Sequence, residues 1–195
     1  MIKQTFHSIL ILAGLAAVRQ PARAATLFQL NPTDGVISGA PGATVGWGFT
    51  ITNTIDYINV TNSQFCEGAQ TPPCTHAIGT YTDFIGPNSP VIGPAPESPT
   101  VTESFDSALT TGVGSFAINS NASSLNHAIG EIIFTYDVYT VSPNDPDFDP
   151  FSDLVSTGNV ASLDATVNVI PEPATFALAG SVLAALAALR FRRLC

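Results

Sequence analysis

The middle of this chain contains no lysine and no arginine. All six basic residues lie outside the segment from Ala25 to Ile170, whereas 14 of the 15 acidic residues lie inside it. The formal charge of the segment is therefore −14, compared with −9 for the whole chain of 195 residues. Nucleic-acid binding depends on basic side chains that displace counterions, so no nucleic acid is expected as a partner. Schiff-base, lysine-base and arginine-finger chemistry are excluded for the same reason. Such an acidic surface either keeps a domain soluble or binds cations or a basic partner.

The same segment also lacks a helical hydrophobic stripe of ten residues or more. Its apolar residues alternate with a period of two, most clearly at Val45, Trp47, Phe49 and Ile51, which is the spacing of a half-buried strand. Clusters of glycine, proline, asparagine and aspartate separate about eight such segments, which predicts an all-β fold, an antiparallel β-sandwich. Besides the strand around Trp47, strands are predicted at residues 26–30, 57–63, 78–84, 101–105, 113–118, 131–141 and 160–169.

The stretch "GAPGATVGWGFTITN", residues 39–53, is similar to the opening strands of immunoglobulin-like modules on bacterial surface proteins. It has a Pro-Gly turn, a strand of alternating apolar residues and a closing asparagine. The resemblance implies an Ig-like sandwich rather than a jelly-roll-like one. The residues in excess of a minimal sandwich are assigned to two loops, at 86–99 and 142–156.

The first 24 residues have the organisation of a secretory signal peptide. A basic residue, Lys3, precedes the apolar run "SILILAGLAAV", and Ala22-Arg23-Ala24 forms a small-x-small cleavage site. The run has 11 residues, whereas a helix needs about 20 to span the hydrocarbon layer. Cleavage is therefore predicted, and residues 25–169 are predicted to form an acidic β-sandwich domain outside the cytoplasm.

The last 26 residues, 170–195, have three ordered parts. Pro171-Glu172-Pro173 is followed by an uncharged apolar run at 174–189 and then by the basic residues Arg190, Arg192 and Arg193. A 16-residue helix is about 24 Å long, and the flanking side chains extend its apolar reach. The apolar residues surround such a helix instead of forming one stripe, which argues against a buried helix of a soluble domain. A transmembrane helix over 174–189 is predicted, with the arginines on the cytoplasmic side.

This three-part tail strongly resembles the PEP-CTERM sorting signal. The resemblance rests on Pro171-Glu172-Pro173, the apolar segment directly after it, and the terminal arginine cluster. It implies recognition by exosortase, a membrane-embedded cysteine protease-transpeptidase, in a Gram-negative host that makes exopolysaccharide. It also implies that the tail is processed near the Pro-Glu-Pro residues after export, so that the membrane anchor is transient.

Two cysteines of the exported segment, Cys66 and Cys74, enclose a seven-residue spacer. A disulfide is the expected outcome in an oxidising compartment. Zinc is the alternative, but His76 is the only further ligand nearby and His127 would have to be supplied by the fold.

The loop "NDPDFDPFSD" places Asp145, Asp147, Asp149 and Asp153 at relative positions 1, 3, 5 and 9. This is the beginning of an EF-hand spacing, but Pro150 stands at the glycine position and Ser156 at the bidentate glutamate position. The EF-hand assignment is rejected. Either the loop binds calcium weakly, at roughly millimolar concentrations, or it is only a solvated acidic loop.

No residue pattern in the sequence indicates catalysis. Glu131 and Asp137 lie on one predicted strand and are expected to be outward-facing polar residues, and no nucleophile-elbow motif is present. The expected function is a non-catalytic cell-envelope or extracellular-matrix protein associated with exopolysaccharide or biofilm, without a cofactor. The alternative is a carbohydrate-binding or weakly carbohydrate-active protein, for which the expected contacts are exposed tyrosines among Tyr57, Tyr81 and Tyr139, since Trp47 is expected in the core.

Overall fold

A computed structural model describes residues 26–68, 70–94 and 96–171. The predicted signal peptide and the predicted helix at 174–189 lie outside these residues. The regular structure of the described residues is β-strand, apart from one short helix, α1, at Ile85–Asn88. The strands are β1 (Leu27–Asn31), β2 (Val36–Gly39), β3 (Thr44–Thr52), β4 (Tyr57–Glu67), β5 (Gly79–Asp83), β6 (Val91–Ile92), β7 (Thr100–Glu103), β8 (Gly114–Ile118), β9 (His127–Tyr139) and β10 (Leu154–Val169).

The strands form two five-stranded sheets that enclose a common core, which confirms the all-β prediction. The first sheet has the order β1-β3-β8-β5, and the second has the order β2-β10-β9-β4-β6. In the first sheet β7 also pairs with β3, at residues 49–52, whereas β8 pairs with residues 44–47 of β3. One pairing departs from the predicted antiparallel arrangement, because β2 pairs with β10 in parallel, with Val36 opposite Thr166. The reason is that the chain changes sheets between β1 and β2 through a short turn and then continues towards the same end as β10.

The hydrophobic core is built by the alternation seen in the sequence. Trp47, Phe49 and Ile51 of β3 are fully buried, and their neighbours Thr50 and Thr52 face outwards, where each hydroxyl pairs with a threonine hydroxyl of β7. Strands β9 and β10 contribute further buried side chains, in particular Ile132, Phe134, Val167 and Val169. Because alternate residues of a strand point to opposite faces, one face of each sheet supplies the core.

A β-bulge in β4 changes which residues face the core. Val60 lies opposite Tyr136 and Asn62 lies opposite Thr135, so Thr61 is an extra residue. Before the bulge the even-numbered Ile58 and Val60 are buried, and after it the odd-numbered Ser63 and Phe65 are buried. A bulge shifts the two-residue period by one, and here it places a serine hydroxyl inside the sandwich.

The two ends of the sandwich differ in charge. We define the C-terminal pole as residues 40–43, 70–78, 119–126 and Ile170, which are joined by backbone hydrogen bonds from Gly42 to Ile118, Asn119 to Ile78 and Ile170 to Gly39. None of these residues is an aspartate or glutamate. We define the acidic pole as residues 53–56, 96–99 and 140–153, which carry Asp56, Glu97, Asp145, Asp147, Asp149 and Asp153.

No helix within the described residues has the length and apolar character required to cross a membrane. The two loops predicted from the sequence are partly ordered as regular structure. The first contains most of α1 and all of β6, and β10 already begins at Leu154, inside the second.

Candidate functional site

The junction between the sandwich and the tail is fixed by backbone hydrogen bonds. The N–H of Val169 donates to Asn126 O at 2.8 Å, and Val169 O accepts the N–H of Leu125 at 2.9 Å. One residue later, the N–H of Ile170 donates to Gly39 O at 2.9 Å. Val169 is buried in the core. The chain is therefore held in the fold up to Ile170, directly before Pro171.

Cys66 and Cys74 form a disulfide at the end of β4, with 5.2 Å between their Cα atoms. His76, which the zinc alternative required, packs instead on the core: its ring stacks on Phe65 and meets Phe116 edge-on. Its Nδ1 lies 3.0 Å from Glu67 Oε1. Among the described residues, this is the one contact found between a basic and an acidic side chain. The disulfide and the histidine together hold the β4–β5 loop against the sandwich.

A groove of about 470 Å³ lies beside this loop, lined by residues of β4, β5 and the loop itself. At its floor, Ser63 Oγ lies 2.7 Å from the Tyr81 hydroxyl and 3.0 Å from Val113 O, and it also donates to the Asp83 carboxylate. The bulge in β4 thus connects the second sheet with the first through a polar cluster. Its residues are dispersed in the sequence, and only the strand pairing and the bulge bring them together.

The polar cluster has the character of a structural network. Ser63 is fully buried, and its hydroxyl is surrounded by partners within the fold. The Asp83 carboxylate also accepts the N–H groups of Ile85 at 2.8 Å and Gly86 at 3.0 Å, which fixes the start of α1. Burial raises the pKa of the Tyr81 phenol well above its ordinary value, and the nearby Asp83 carboxylate raises it further.

The Tyr81 phenol should make the protein sensitive to alkali. Because the fold favours the neutral phenol, its contribution to stability is complete below the unfolded pKa of about 10 and is lost as the pH rises above that value. The segment from Ala25 to Ile170 has no lysine or arginine, so no basic side chain of the segment contributes to the loss of stability in this range. We expect Tyr81→Phe to cost about 1 kcal/mol at neutral pH and to flatten the loss of stability above pH ~10. Urea unfolding at several alkaline pH values measures both. If the free energy of unfolding fell equally steeply with pH in the variant and in the wild type, the role given to the Tyr81 phenol would be contradicted.

The four aspartates predicted as a weak calcium site are largely engaged with their own loop. Asp145 accepts the N–H of Asp147 at 2.9 Å, Asp153 accepts that of Asp149 at 2.8 Å, and Asp149 accepts that of Phe151 at 2.9 Å. The hydrogen bond from Phe151 lowers the pKa of the Asp149 carboxyl, and Ser152 adds to this effect. Within residues 26–171, apart from 69 and 95, no group of three or more His, Cys, Asp or Glu side chains is placed to hold a metal ion. Calcium binding by this loop stays a hypothesis, which a calcium titration can test.

A calcium titration has a clear expected result. A site with a dissociation constant of about 1 mM would add about 1.4 kcal/mol of stability in about 10 mM calcium, which corresponds to a Tm increase of about 4 °C. Because the loop carboxylates already accept backbone N–H groups, we expect no such increase. Magnesium at the same ionic strength is the control for charge screening, and a rise specific to calcium would overturn this expectation.

The remaining sequence candidates are placed as follows. Glu131 faces outwards opposite Asp164, and Asp137 accepts the Thr157 hydroxyl at 2.6 Å and the N–H of Gly158 at 2.8 Å. Of the three tyrosines expected to be free for sugar binding, Tyr139 is buried under Phe148 and Tyr81 packs on the core with its hydroxyl in the polar cluster, so that expectation is wrong for both. Among the described residues, the most exposed aromatic ring is instead that of Phe151, which is 91% exposed in the acidic pole. The sequence alternation gave no signal for this residue, because it lies in a loop.

The comparisons with known proteins match the tail to a family model and give weak similarities of the chain to solved structures. A family model described as the PEP-CTERM protein-sorting motif matches residues 169–193. The chain carries a PEP-CTERM sorting motif. This confirms the resemblance inferred from the tail, and the match includes all six predicted motif residues, of which Pro171 is described in the structure. A PEP-CTERM motif implies exosortase-dependent sorting to the cell surface.

No curated protein matches the chain. Among solved structures, the PapD-like domain 7 of human CEP192 has 10% sequence identity and a TM-score of 0.33, covering 86% of this chain and 100% of that domain. The structure described as "AvmM Catalyzes Macrocyclization in Alchivemycin A Biosynthesis" has 10% identity and a TM-score of 0.29, covering 76% and 91%. The sixth cohesin of scaffoldin B from Acetivibrio cellulolyticus, in complex with a Cel5 dockerin, has 14% identity and a TM-score of 0.27, covering 74% and 98%. These similarities are weak.

The PEP-CTERM motif and the sandwich overlap by one residue. The motif begins at Val169, which is also the last residue of β10. No flexible spacer separates the folded domain from the sorting signal, since Ile170 is still hydrogen-bonded to β2.

Proposed function

We propose that the chain is an exported, non-catalytic protein of the cell envelope or extracellular matrix of a Gram-negative bacterium. Residues 1–24 act as a cleaved signal peptide, residues 174–189 hold the chain transiently in the membrane, and an exosortase-like enzyme processes it near Pro171-Glu172-Pro173. The observation that carries this proposal is the position of the PEP-CTERM motif, which begins at the last residue of the last strand. Cleavage there would leave every strand of the sandwich in the released product.

The proposed product has unusual surface chemistry. It would retain all 14 acidic residues of the segment from Ala25 to Ile170 and no lysine or arginine. Like-charge repulsion keeps such a domain soluble, which suits a protein that accumulates outside the cell among polysaccharides. We propose exopolysaccharide or biofilm material as its surroundings.

The non-catalytic assignment is supported by the polar groups within the described residues. Ser63 is fully buried, the Asp83 carboxylate is committed to α1, and the Asp137 carboxylate binds Thr157 and Gly158 at the irregularity in the first part of β10. A nucleophile needs both an activating base and access to the substrate. If the protein were a glycosidase that used Glu131, turnover of the host polysaccharide would be abolished in Glu131→Gln; we expect no turnover in the wild type.

Replacement of the motif residues tests the sorting proposal. In cells of the native host, the variant with Pro171→Ala, Glu172→Ala and Pro173→Ala should remain in the membrane fraction with its tail attached. The wild type should be found at the surface or in the medium without the tail. Ser162→Ala, an exposed substitution on β10, is the control and should behave as the wild type. Normal processing of the triple variant would contradict the proposal.

A carbohydrate-binding function is the alternative, and the exposure of Phe151 favours it. Its ring is 91% exposed, and Asp149 and Asp153 lie within two residues of it. A flat apolar ring beside hydrogen-bond acceptors could contact a sugar face. Pull-down on the host's own exopolysaccharide would decide: binding that is lost in Phe151→Ala but kept in Leu109→Ala, which removes an exposed side chain elsewhere, would favour this alternative.

A further inference from the structure

We propose that, before the tail is removed, the C-terminal pole of the sandwich lies against the lipid surface of the membrane that holds residues 174–189. This inference rests on the proposed function, because it requires those residues to span the membrane. It assigns a membrane-contact surface to the folded domain itself, with Leu125 and Ile170 as its apolar contacts.

The first argument is the length of the connection. Ile170 is bonded to Gly39, and Ala174 begins the apolar run. Four residue steps reach at most about 14 Å when fully extended, and the headgroup layer on one side of a bilayer occupies about 6 Å of that distance. An apolar helix of about 24 Å is also shorter than the hydrocarbon layer of about 30 Å, which draws the flanking residues further into the interface. The pole cannot be far from the lipid headgroups.

The second argument is charge. The segments of the C-terminal pole contain no aspartate or glutamate, and the one carboxylate shown in contact with them, Glu67, lies against His76. The acidic pole carries six carboxylates. The orientation imposed by the short connection turns the carboxylate-poor end towards the membrane and the acidic end away from it. At physiological ionic strength the Debye length is about 8 Å, so carboxylates at the acidic pole would interact little with anionic lipids. The domain can therefore lie on the membrane despite a formal charge of −14.

The third argument is the conformation of Leu125. Its side chain is 82% exposed and its backbone has φ of 77°, a left-handed conformation that is unfavourable for a bulky residue. Its N–H bonds to Val169 O, so Leu125 lies at the junction, and Ile170, the residue after Val169, is 45% exposed. An exposed apolar side chain held in a strained loop adds little to the core, but it can enter the interfacial layer of a bilayer.

Quenching by lipids with brominated acyl chains tests this contact. The chain from Ala25 to Cys195 would be reconstituted into phosphatidylethanolamine–phosphatidylglycerol vesicles, and association would be verified by flotation. The native Trp47 is fully buried and supplies an unquenched background. An added tryptophan in Leu125→Trp should lose most of its emission and shift to shorter wavelength. Phe151→Trp, at the acidic pole, is the matched control and should be unchanged.

Each outcome decides the proposal. Flotation with an unquenched Leu125→Trp would overturn the lipid contact while leaving the sorting proposal intact. Failure to float would overturn both, because residues 174–189 would then not be a membrane segment. If Leu125→Trp is unquenched and Leu125→Asp nevertheless slows tail processing in cells, the pole faces the processing enzyme and the lipid contact is wrong.

Discussion

Trp47→Ala should destabilise the protein by about 3–5 kcal/mol, which is a large part of the 5–15 kcal/mol typical of a whole domain. Trp47 is fully buried, and its ring packs 5.4 Å from that of Phe65 of the opposite sheet. Its Nε1–H donates to Gly35 O at 2.8 Å. Gly35 O also accepts the N–H of Thr166, so this indole joins β3 to the turn that carries the chain from one sheet to the other. The substitution removes core volume and this connection together.

Two further variants define the cause of the loss. Trp47→Phe keeps most of the ring but not the N–H donor, and it should cost clearly less than Trp47→Ala. Val160→Ala removes an exposed side chain of β10 and should change stability by less than about 0.5 kcal/mol. Because Trp47 is the only tryptophan, unfolding in urea must be followed by circular dichroism. A loss below about 1 kcal/mol for Trp47→Ala would mean that the ring is not in the core.

Replacing Cys66 and Cys74 together by alanine should cost about 2.5 kcal/mol, the loop-closure entropy expected for a ring of this size. The bond spans a sequence separation of eight residues in a loop with two prolines and little regular structure. Its loss should also release His76 from Phe65 and Phe116, which would increase hydrogen exchange in the β4–β5 loop. Urea unfolding gives the first quantity and amide exchange gives the second.

The third cysteine of the chain provides the control for this experiment. Cys195→Ser should leave the stability of the sandwich unchanged, because Cys195 lies beyond the sorting motif. A double alanine variant as stable as the wild type would contradict the prediction, because the disulfide would then contribute nothing to the free energy of unfolding. A reducing agent added to the wild type should reproduce the effect of the double variant.

The strands that could be predicted are those in which apolar and polar residues alternate over enough positions to be recognised. The alternation around Trp47 identified β3, and that of Ala165, Val167 and Val169 identified the buried end of β10. The sequence did not predict β2 or β6, because they have four and two residues and offer too little alternation. The parallel pairing of β2 with β10 follows from the route of the chain between sheets, which no local pattern specifies.

The bulge at Thr61 explains why the groove was missed. If the alternation of Ile58 and Val60 continued unbroken along β4, Ser63 would face outwards. The extra residue at the bulge turns the Ser63 hydroxyl inwards, to Tyr81 and Asp83. Strand β10 also begins before the predicted residue 160, where its outer residues alternate less clearly. Sequence reasoning succeeded at the tail because a sorting signal is linear, and it failed at the groove because that cluster exists only after folding.

The C-terminal pole, like the groove, could not be predicted from the sequence. Residues 40–43, 70–78 and 119–126 are distant in the sequence, and no one of these segments is unusual by itself. Their common lack of carboxylates becomes visible only when β2, β8 and β10 bring their ends together. The charge difference between the two poles is therefore a property of the fold, although each residue that produces it is present in the sequence.

The intact mass of the native protein, recovered from the cells that make it, tests the central proposal most directly. We predict a chain that begins at Ala25 and ends near Pro171-Glu172-Pro173, with its mass lowered by the hydrogens lost in the Cys66–Cys74 bond. After unfolding, trypsin should leave this product uncut, because it has no lysine or arginine. A mass that still includes residues 174–195, together with tryptic cleavage at Arg190, Arg192 and Arg193, would contradict processing of the sorting signal.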